Sequence, residues 1–218
     1  MTNEGRFEIH DLEGVFTRIS ERLENKFVGI FSKETIERYV KESYALLAER
    51  ARVTVYLPLL TERFTRERLT ALAQSEVKIA KYKPEILFVC VHNAGRSQMA
   101  AALAIQISGG AVSARSAGSA PSDSIPVTVH EAMEEIGPNL AEAFPKPLTD
   151  EVVRAADIVI TMGCGDACPI YPGKRYEDWD FADPAELDAA GVVSVRNDIE
   201  ARIRLTLTFM HNNVASGL

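Results

Sequence analysis

The stretch that most constrains this chain runs from Glu85 to Ala102, EILFVCVHNAGRSQMAAA. Ile86 to Cys90 form an apolar run short enough for a buried strand. Ile and Val favour a pleated backbone, and such runs suit a parallel sheet covered on both faces. The loop that follows holds His92, Asn93 and Gly95 before Arg96. From Ser97 onward, Gln98, Met99, Ala100, Ala101, Ala102, Leu103 and Ala104 are strong helix formers. The pattern reads strand, tight loop, helix. A thiol at Cys90 and a guanidinium at Arg96 then flank one loop.

Unpaired N–H groups in such a loop and in the first helical turn point inward, and the helix dipole adds positive potential. Val91, His92, Asn93, Ala94, Gly95 and Arg96 thus form an expected cradle for a tetrahedral oxyanion, with the planar fork of Arg96 as its clamp. The same field favours thiolate over thiol at Cys90, and the Ser97 hydroxyl is placed to donate to the sulfur. A buried core cysteine beside a glycine turn is the plainer alternative. The strand before Cys90 and the Ser-led helix after it favour the anion site.

Beyond Lys83-Pro84 helices and short apolar runs alternate. Val112–Ser116 and Asp157–Thr161 read as strands, Lys174–Asp178 as strand-like, and Val195–Met210 as a terminal helix carrying Ile199, Ile203 and Leu205. A helix has Pro126 near its start, and Thr149 is an expected helix cap. Alternation of this kind implies a parallel sheet wound on both faces, with ligands outside the carboxyl ends of its strands. If the Cys90 strand and the Asp157–Thr161 strand are neighbours, Cys164 meets Cys90 at one edge.

Residues 1–83 differ in character. Helical periodicity from Ile9 to about Ile30, a second helix capped by Ser32, and a third after Thr61 that reaches about Lys81 predict a three-helix bundle. Pro58 reads as an interruption, and Val77 as part of the third helix's apolar face. His10 is a lone histidine with a structural role. So small a core favours packing against a second copy, with Tyr39, Tyr44 and Phe31 as expected contacts, and a homodimer is expected through residues 1–83. The domains are therefore 1–83 and 84–218.

Charge excludes one broad class. Of 24 basic and 31 acidic residues in the 218, residues 1–83 hold 15 and 13, and the net charge of −7 argues against general nucleic-acid binding. No apolar run approaches the ~18 residues that span a membrane. The acidic N-terminus lacks a signal-peptide core, so a cytoplasmic location is expected, where three cysteines point to chemistry rather than disulfides.

The run Cys90-Val-His-Asn-Ala-Gly-Arg96-Ser97-Gln-Met, the Ser116-Ala-Gly118 turn, the ITMGC segment and WDFADP resemble the low-molecular-weight phosphatase superfamily. Within it they are most similar to thioredoxin-coupled arsenate reductases. The resemblance covers about Pro84 to Met210 and implies a four-stranded parallel sheet with helices on both faces. It implies Cys90 as nucleophile, Arg96 as clamp, Ser97 as the thiolate's donor, Asn93 as a shaper of the cradle, and Asp183 as general acid. It also implies a relay: Cys90 attacks arsenate, Cys164 attacks Cys90, and Cys168 attacks Cys164 from a flexible Gly163–Pro169 loop. Thioredoxin, fed by NADPH through its reductase, restores the thiols. No bound cofactor is expected, and phosphate and sulfate should compete with arsenate.

Two alternatives stand beside that reading: a phosphatase using Cys90, Arg96 and Asp183, and a non-enzymatic thiol sensor. An intact oxyanion loop weighs against the sensor. Ala185-Glu186-Leu187 stands where phosphatases often carry a tyrosine pair, which favours the reductase. A zinc half-site at Cys164 and Cys168 finds no companion spacing among His10, His92, His130 and His211, so no metal is expected. Ala101 occupies a position where some relatives place a glutamate of a potassium site, so that ion is not expected either.

Overall fold

The computed structural model describes residues 11–164 and 168–216, with side chains as far as 211. Ile9, His10 and the Gly165 part of the expected flexible loop lie outside the described residues. The chain divides between Ala80 and Lys81 into two compact units. Lys81 belongs to the second unit because its ammonium donates to the Ala155 carbonyl and pairs with Asp157.

The first unit contains α1 (Leu12–Lys26), α2 (Lys33–Ala48) and α3 (Leu57–Ser75). Asp11 caps α1 by accepting the Gly14 N–H, and Ser32 caps α2 by accepting that of Thr35. Ile19, Leu23, Phe27, Ile36, Val40 and Leu69 close its core. Three expectations need correction here. Pro58 opens α3 rather than interrupting the chain, because a first-turn residue has no intrahelical use for the missing N–H. The helix stops at Ser75, since Val77 takes a left-handed φ of 58° and Lys78 N–H turns back to the Ala73 carbonyl. Val77 is exposed, off the core face. The three aromatics expected at the surface are also seated within the bundle: Tyr39 is buried beneath the Arg68 guanidinium, Tyr44 meets Phe16 edge-on, and Phe31 packs on Phe27.

The second unit holds β1 (Glu85–Cys90), α4 (Arg96–Ile107), β2 (Ser113–Gly118), α5 (Val127–Glu134), α6 (Asp150–Ala155), β3 (Ile158–Met162), β4 (Arg175–Asp178) and α7 (Ala189–Ser216). The four strands are parallel, in the order β2-β1-β3-β4. Ile86, Phe88, Cys90, Ile158, Ile160 and Met162 share one core with α4 and α7, while Leu87, Val89 and Val159 are buried as well. The central strands are covered on both faces, which is why they read as unbroken apolar runs. The terminal helix starts six residues before Val195, because Asp188 caps it by accepting the Gly191 N–H at 2.8 Å. Its core face runs through Val192, Val195, Ile199 and Ile203, whereas Leu205 is exposed. Among the described residues no helix is long and apolar enough to cross a membrane.

Register places the functional edge. Cys90 at the end of β1 lies opposite Gly118 of β2 and Met162 of β3. Beyond β4, buried Trp179 packs at a tilt against Phe88 and meets Phe181 edge-on, which roots the segment that carries Asp183 at that edge.

Candidate active site

Cys90 is buried where β1 enters the loop. Its Sγ accepts the Asn93 N–H at 3.2 Å and lies 3.0 Å from Ser97 Oγ. Asn93 has φ +46°, a left-handed conformation that asparagine tolerates, and this turns the loop back over the sulfur. Gly118 lets the β2 end approach: a Cβ there would sit 2.7 Å from the Val91 carbonyl oxygen. Gly95 leads into α4 and meets Pro184, where a Cβ would be 2.9 Å from Cγ. The first turn of a twelve-residue helix thus faces the thiol, with its N–H groups and positive dipole end.

A buried side-chain network decides where the Ser97 proton points. Gln98 Nε2 donates to the carbonyl oxygens of Asn93 and Phe144, at 3.1 and 2.9 Å, and to Asn93 Oδ1. The Lys146 backbone N–H also donates to Asn93 Oδ1, at 2.9 Å. With its oxygen so occupied, Asn93 presents Nδ2 to Ser97 Oγ at 2.8 Å. The serine oxygen is therefore an acceptor there, and its own hydrogen is left for Cys90 Sγ. Ser97 and Asn93 were expected at the cradle from the sequence, whereas Gln98, in a run otherwise rich in alanine, was not singled out.

Arg96, also buried, donates from Nη1 to the Phe181 carbonyl at 3.2 Å and from Nη2 to Asp183 Oδ2 at 2.6 Å. His92 is half-exposed and brings Nδ1 to 3.3 Å from the same carboxylate oxygen. Cys90, His92, Arg96, Ser122, Asp183 and Pro184 are among the residues lining a cavity of about 230 Å³. Among the described residues that line it there is no Phe, Tyr or Trp. The backbone carbonyl of Phe181, a partner of the guanidinium, had no signature in the sequence.

Two further thiols follow β3. Cys164 is buried, and its thiol is pushed up in pKa first by burial, then by the nearby charges of Cys90 and Asp178. Cys168, half-buried, is pushed up to about 11 by burial and by Cys164. Each thiol therefore feels the one before it. Between them and the cradle, Gly163 has φ +76°, and a Cβ there would lie 2.9 Å from Arg96 Nη1. The structure thus brings Cys90, Asn93, Arg96, Ser97 and Asp183 to one cavity, with Cys164 close by and Cys168 next to Cys164. Among the described residues no group of three or more His, Cys, Asp or Glu converges to hold a metal.

The chain matches the family described as low molecular weight phosphotyrosine protein phosphatase over residues 85–216. Residues 16–73 match a protein-tyrosine-phosphatase-like N-terminal domain. A thioredoxin-dependent arsenate reductase of Corynebacterium glutamicum is 46% identical with a TM-score of 0.82, over 92% of this chain and 98% of that one. Arsenate reductase 1 of Staphylococcus epidermidis is 35% identical over 133 residues, 59% of this chain and 97% of that relative. An arginine phosphatase from Geobacillus stearothermophilus shares the fold of the second part, with 25% identity, a TM-score of 0.52, and coverage of 61% and 96%.

Proposed function

Because this chain belongs to the low molecular weight phosphotyrosine protein phosphatase family, we propose that it reduces arsenate to arsenite through a relay of three thiols. The observation that carries the reading is the register that sets Cys90 opposite Met162, two residues before buried Cys164, with Cys168 four residues further along the chain. A phosphatase needs only the first of these cysteines. The names of relatives from Corynebacterium and Staphylococcus support the same substrate, and the former supports thioredoxin as the reductant.

Arsenate enters the cradle of residues 91–96, and Arg96 grips its oxygens. The Cys90 thiolate, held by Asn93 N–H and the Ser97 hydroxyl, attacks arsenic, and one oxygen leaves as water with a proton from Asp183. The Cys164 thiolate then attacks Cys90 Sγ. The sulfur–arsenic electron pair passes to arsenic, which departs as arsenite, and a Cys90–Cys164 disulfide remains. Cys168 attacks Cys164 Sγ, Cys90 leaves as thiolate, and the disulfide moves to Cys164–Cys168. Thioredoxin's dithiol supplies two electrons and becomes a disulfide, which NADPH and thioredoxin reductase recycle. Such chemistry fits the cytoplasm, where thiols stay reduced.

Burial is the main reason that Cys164 and Cys168 hold their protons, with a smaller rise at Cys164 from Cys90 and Asp178 and at Cys168 from Cys164. Taking Cys164 into a disulfide lifts that smaller part from Cys168.

The deciding experiment is arsenate-dependent NADPH consumption with thioredoxin and its reductase, beside release of p-nitrophenol from its phosphate ester. Reduction without appreciable phosphatase turnover is expected. The reverse result assigns the chain to the phosphatases, with Cys90, Arg96 and Asp183 alone. The first unit is proposed to join two copies, now through exposed Val53, Val55, Tyr56 and Leu59 rather than the seated aromatics. Light scattering that reports a monomer would end that reading.

A further inference from the structure

We propose that Tyr176 is the positioning residue of the last exchange step, holding the backbone directly after Cys168 so that this thiol meets Cys164 from a fixed point. This rests on the relay above. Tyr176 lies on β4, opposite Val159 of β3, and so is part of the rigid sheet. Its hydroxyl accepts the Tyr171 N–H at 2.8 Å and donates to the Pro169 carbonyl at 3.2 Å. Proline has no N–H, so the carbonyl is the one backbone group with which residue 169 can be tied. One phenol oxygen thus closes both ends of a three-residue segment that begins immediately after the thiol.

The Cys168 thiol also lies 3.9 Å from the Pro169 carbonyl, a weak contact within the segment itself, and the segment is otherwise largely open to solvent. Ile170 is 81% exposed, and Pro169 is exposed as well. A surface segment without apolar burial takes its position from its polar contacts. The second contact is the Tyr171 ring, which lies 5.2 Å from the Arg154 guanidinium of α6, itself paired with Asp150 at 2.7 Å. Burial, and then the Cys168 charge, raise the Tyr176 phenol above its ordinary value, so it keeps the hydrogen that the Pro169 contact needs.

The step served is strict in geometry. The Cys168 thiolate attacks Cys164 Sγ, a Cys164–Cys168 bond forms, and the Cys90–Cys164 bond breaks. Cys90 leaves with the electron pair as thiolate, and the Cys168 proton goes to solvent. Nothing is oxidised or reduced overall. Three sulfurs must approach a line, so a displaced attacker reacts slowly. Arsenite release precedes this step and involves only Cys90 and Cys164, so the clasp has no part in it.

Tyr176→Phe keeps the ring and removes both hydrogen bonds. In the full-length protein without thioredoxin, the first equivalent of arsenite should appear at the wild-type rate. Migration of the disulfide to Cys164–Cys168, followed by acid quench, alkylation and peptide mapping, should slow by about fivefold or more, the rate equivalent of one net hydrogen bond. Migration at the wild-type rate overturns the clasp and leaves the relay standing. Absence of first-turnover arsenite from the wild type overturns the relay itself. Should Tyr176→Phe fold poorly, fluorotyrosine at position 176 keeps the shape while its phenol ionises within the assay range. The ratio of its migration rate to that of the wild type should then fall as pH rises. A ratio independent of pH overturns the clasp equally.

Discussion

Asp183 Oδ2 stands 2.6 Å from Arg96 Nη2, so the proposed acid and the proposed clamp are paired with each other. An entering oxyanion competes with that carboxylate for the guanidinium. Asp183→Asn removes the carboxylate that competes for Arg96 before an anion arrives. Once displaced by the oxyanion and protonated by the incoming acid arsenate, that carboxylate would return the proton to the leaving oxygen. Phosphate, titrated by calorimetry, should bind roughly fivefold more tightly, in line with a charge interaction of about 1 kcal/mol at a partly exposed site. Formation of the arsenate adduct should slow by about 10²–10⁴. If rapid quench finds adduct formation unchanged, Asp183 is not the acid.

Ser97→Ala should slow alkylation of Cys90 by iodoacetamide at neutral pH about tenfold. A hydrogen bond to a charged group contributes about 1.5–3 kcal/mol, and part of the gain in thiolate is offset by its lower nucleophilicity. A Cys164→Ser/Cys168→Ser background leaves Cys90 as the only thiol to report. Asn93→Ala should slow the reaction in the same direction, since Asn93 Nδ2 directs the serine hydrogen. Rates within twofold of the background would remove the network from the chemistry.

Cys168, pushed up to about 11, is almost wholly protonated at neutral pH. Its attack on Cys164 should therefore accelerate as pH rises above neutral, because only the thiolate reacts and the rise due to burial persists after Cys164 has entered its disulfide. Stability has the opposite sign. A thiol raised in the folded state favours folding below the unfolded value and loses that contribution as pH climbs through the folded one. The reduced protein should melt lower at pH 10 than at pH 8. Cys168→Ser, compared over the same interval, should lessen the fall; an identical fall would locate it elsewhere.

Cys164→Ser should take up arsenate at Cys90 and stop there, without arsenite release or steady NADPH consumption. Sustained thioredoxin-coupled turnover by this variant would sink the relay.

How much of this was legible depends on whether a feature leaves its mark in side chains. The strand Ile86–Cys90 and its helix were legible because a twice-covered strand must be apolar throughout. The meeting of Cys90 and Cys164 followed from strand adjacency, and the register of Cys90 on Met162 supplies that adjacency. Helix ends were harder. Asp188 and Val77 set them through a cap and a left-handed φ, neither of which alters apolar periodicity. The Phe181 and Pro169 carbonyls are backbone groups, so no residue type announces them. Nothing in the strand-like stretch Lys174–Asp178 singles out Tyr176, because its partners lie in a loop whose path no pattern encodes.

Glycine at 163 contributes no functional group, yet it sets how independently two reactions can be altered. Any side chain there meets a backbone at φ +76° and a guanidinium nitrogen 2.9 Å from its first carbon. Gly163→Ala would accordingly disturb anion capture as well as the stretch leading to Cys164. Variants that assign residues to single steps by phenotype would score this position in both columns. A residue with no functional group of its own thus ties anion capture to the path of the second thiol.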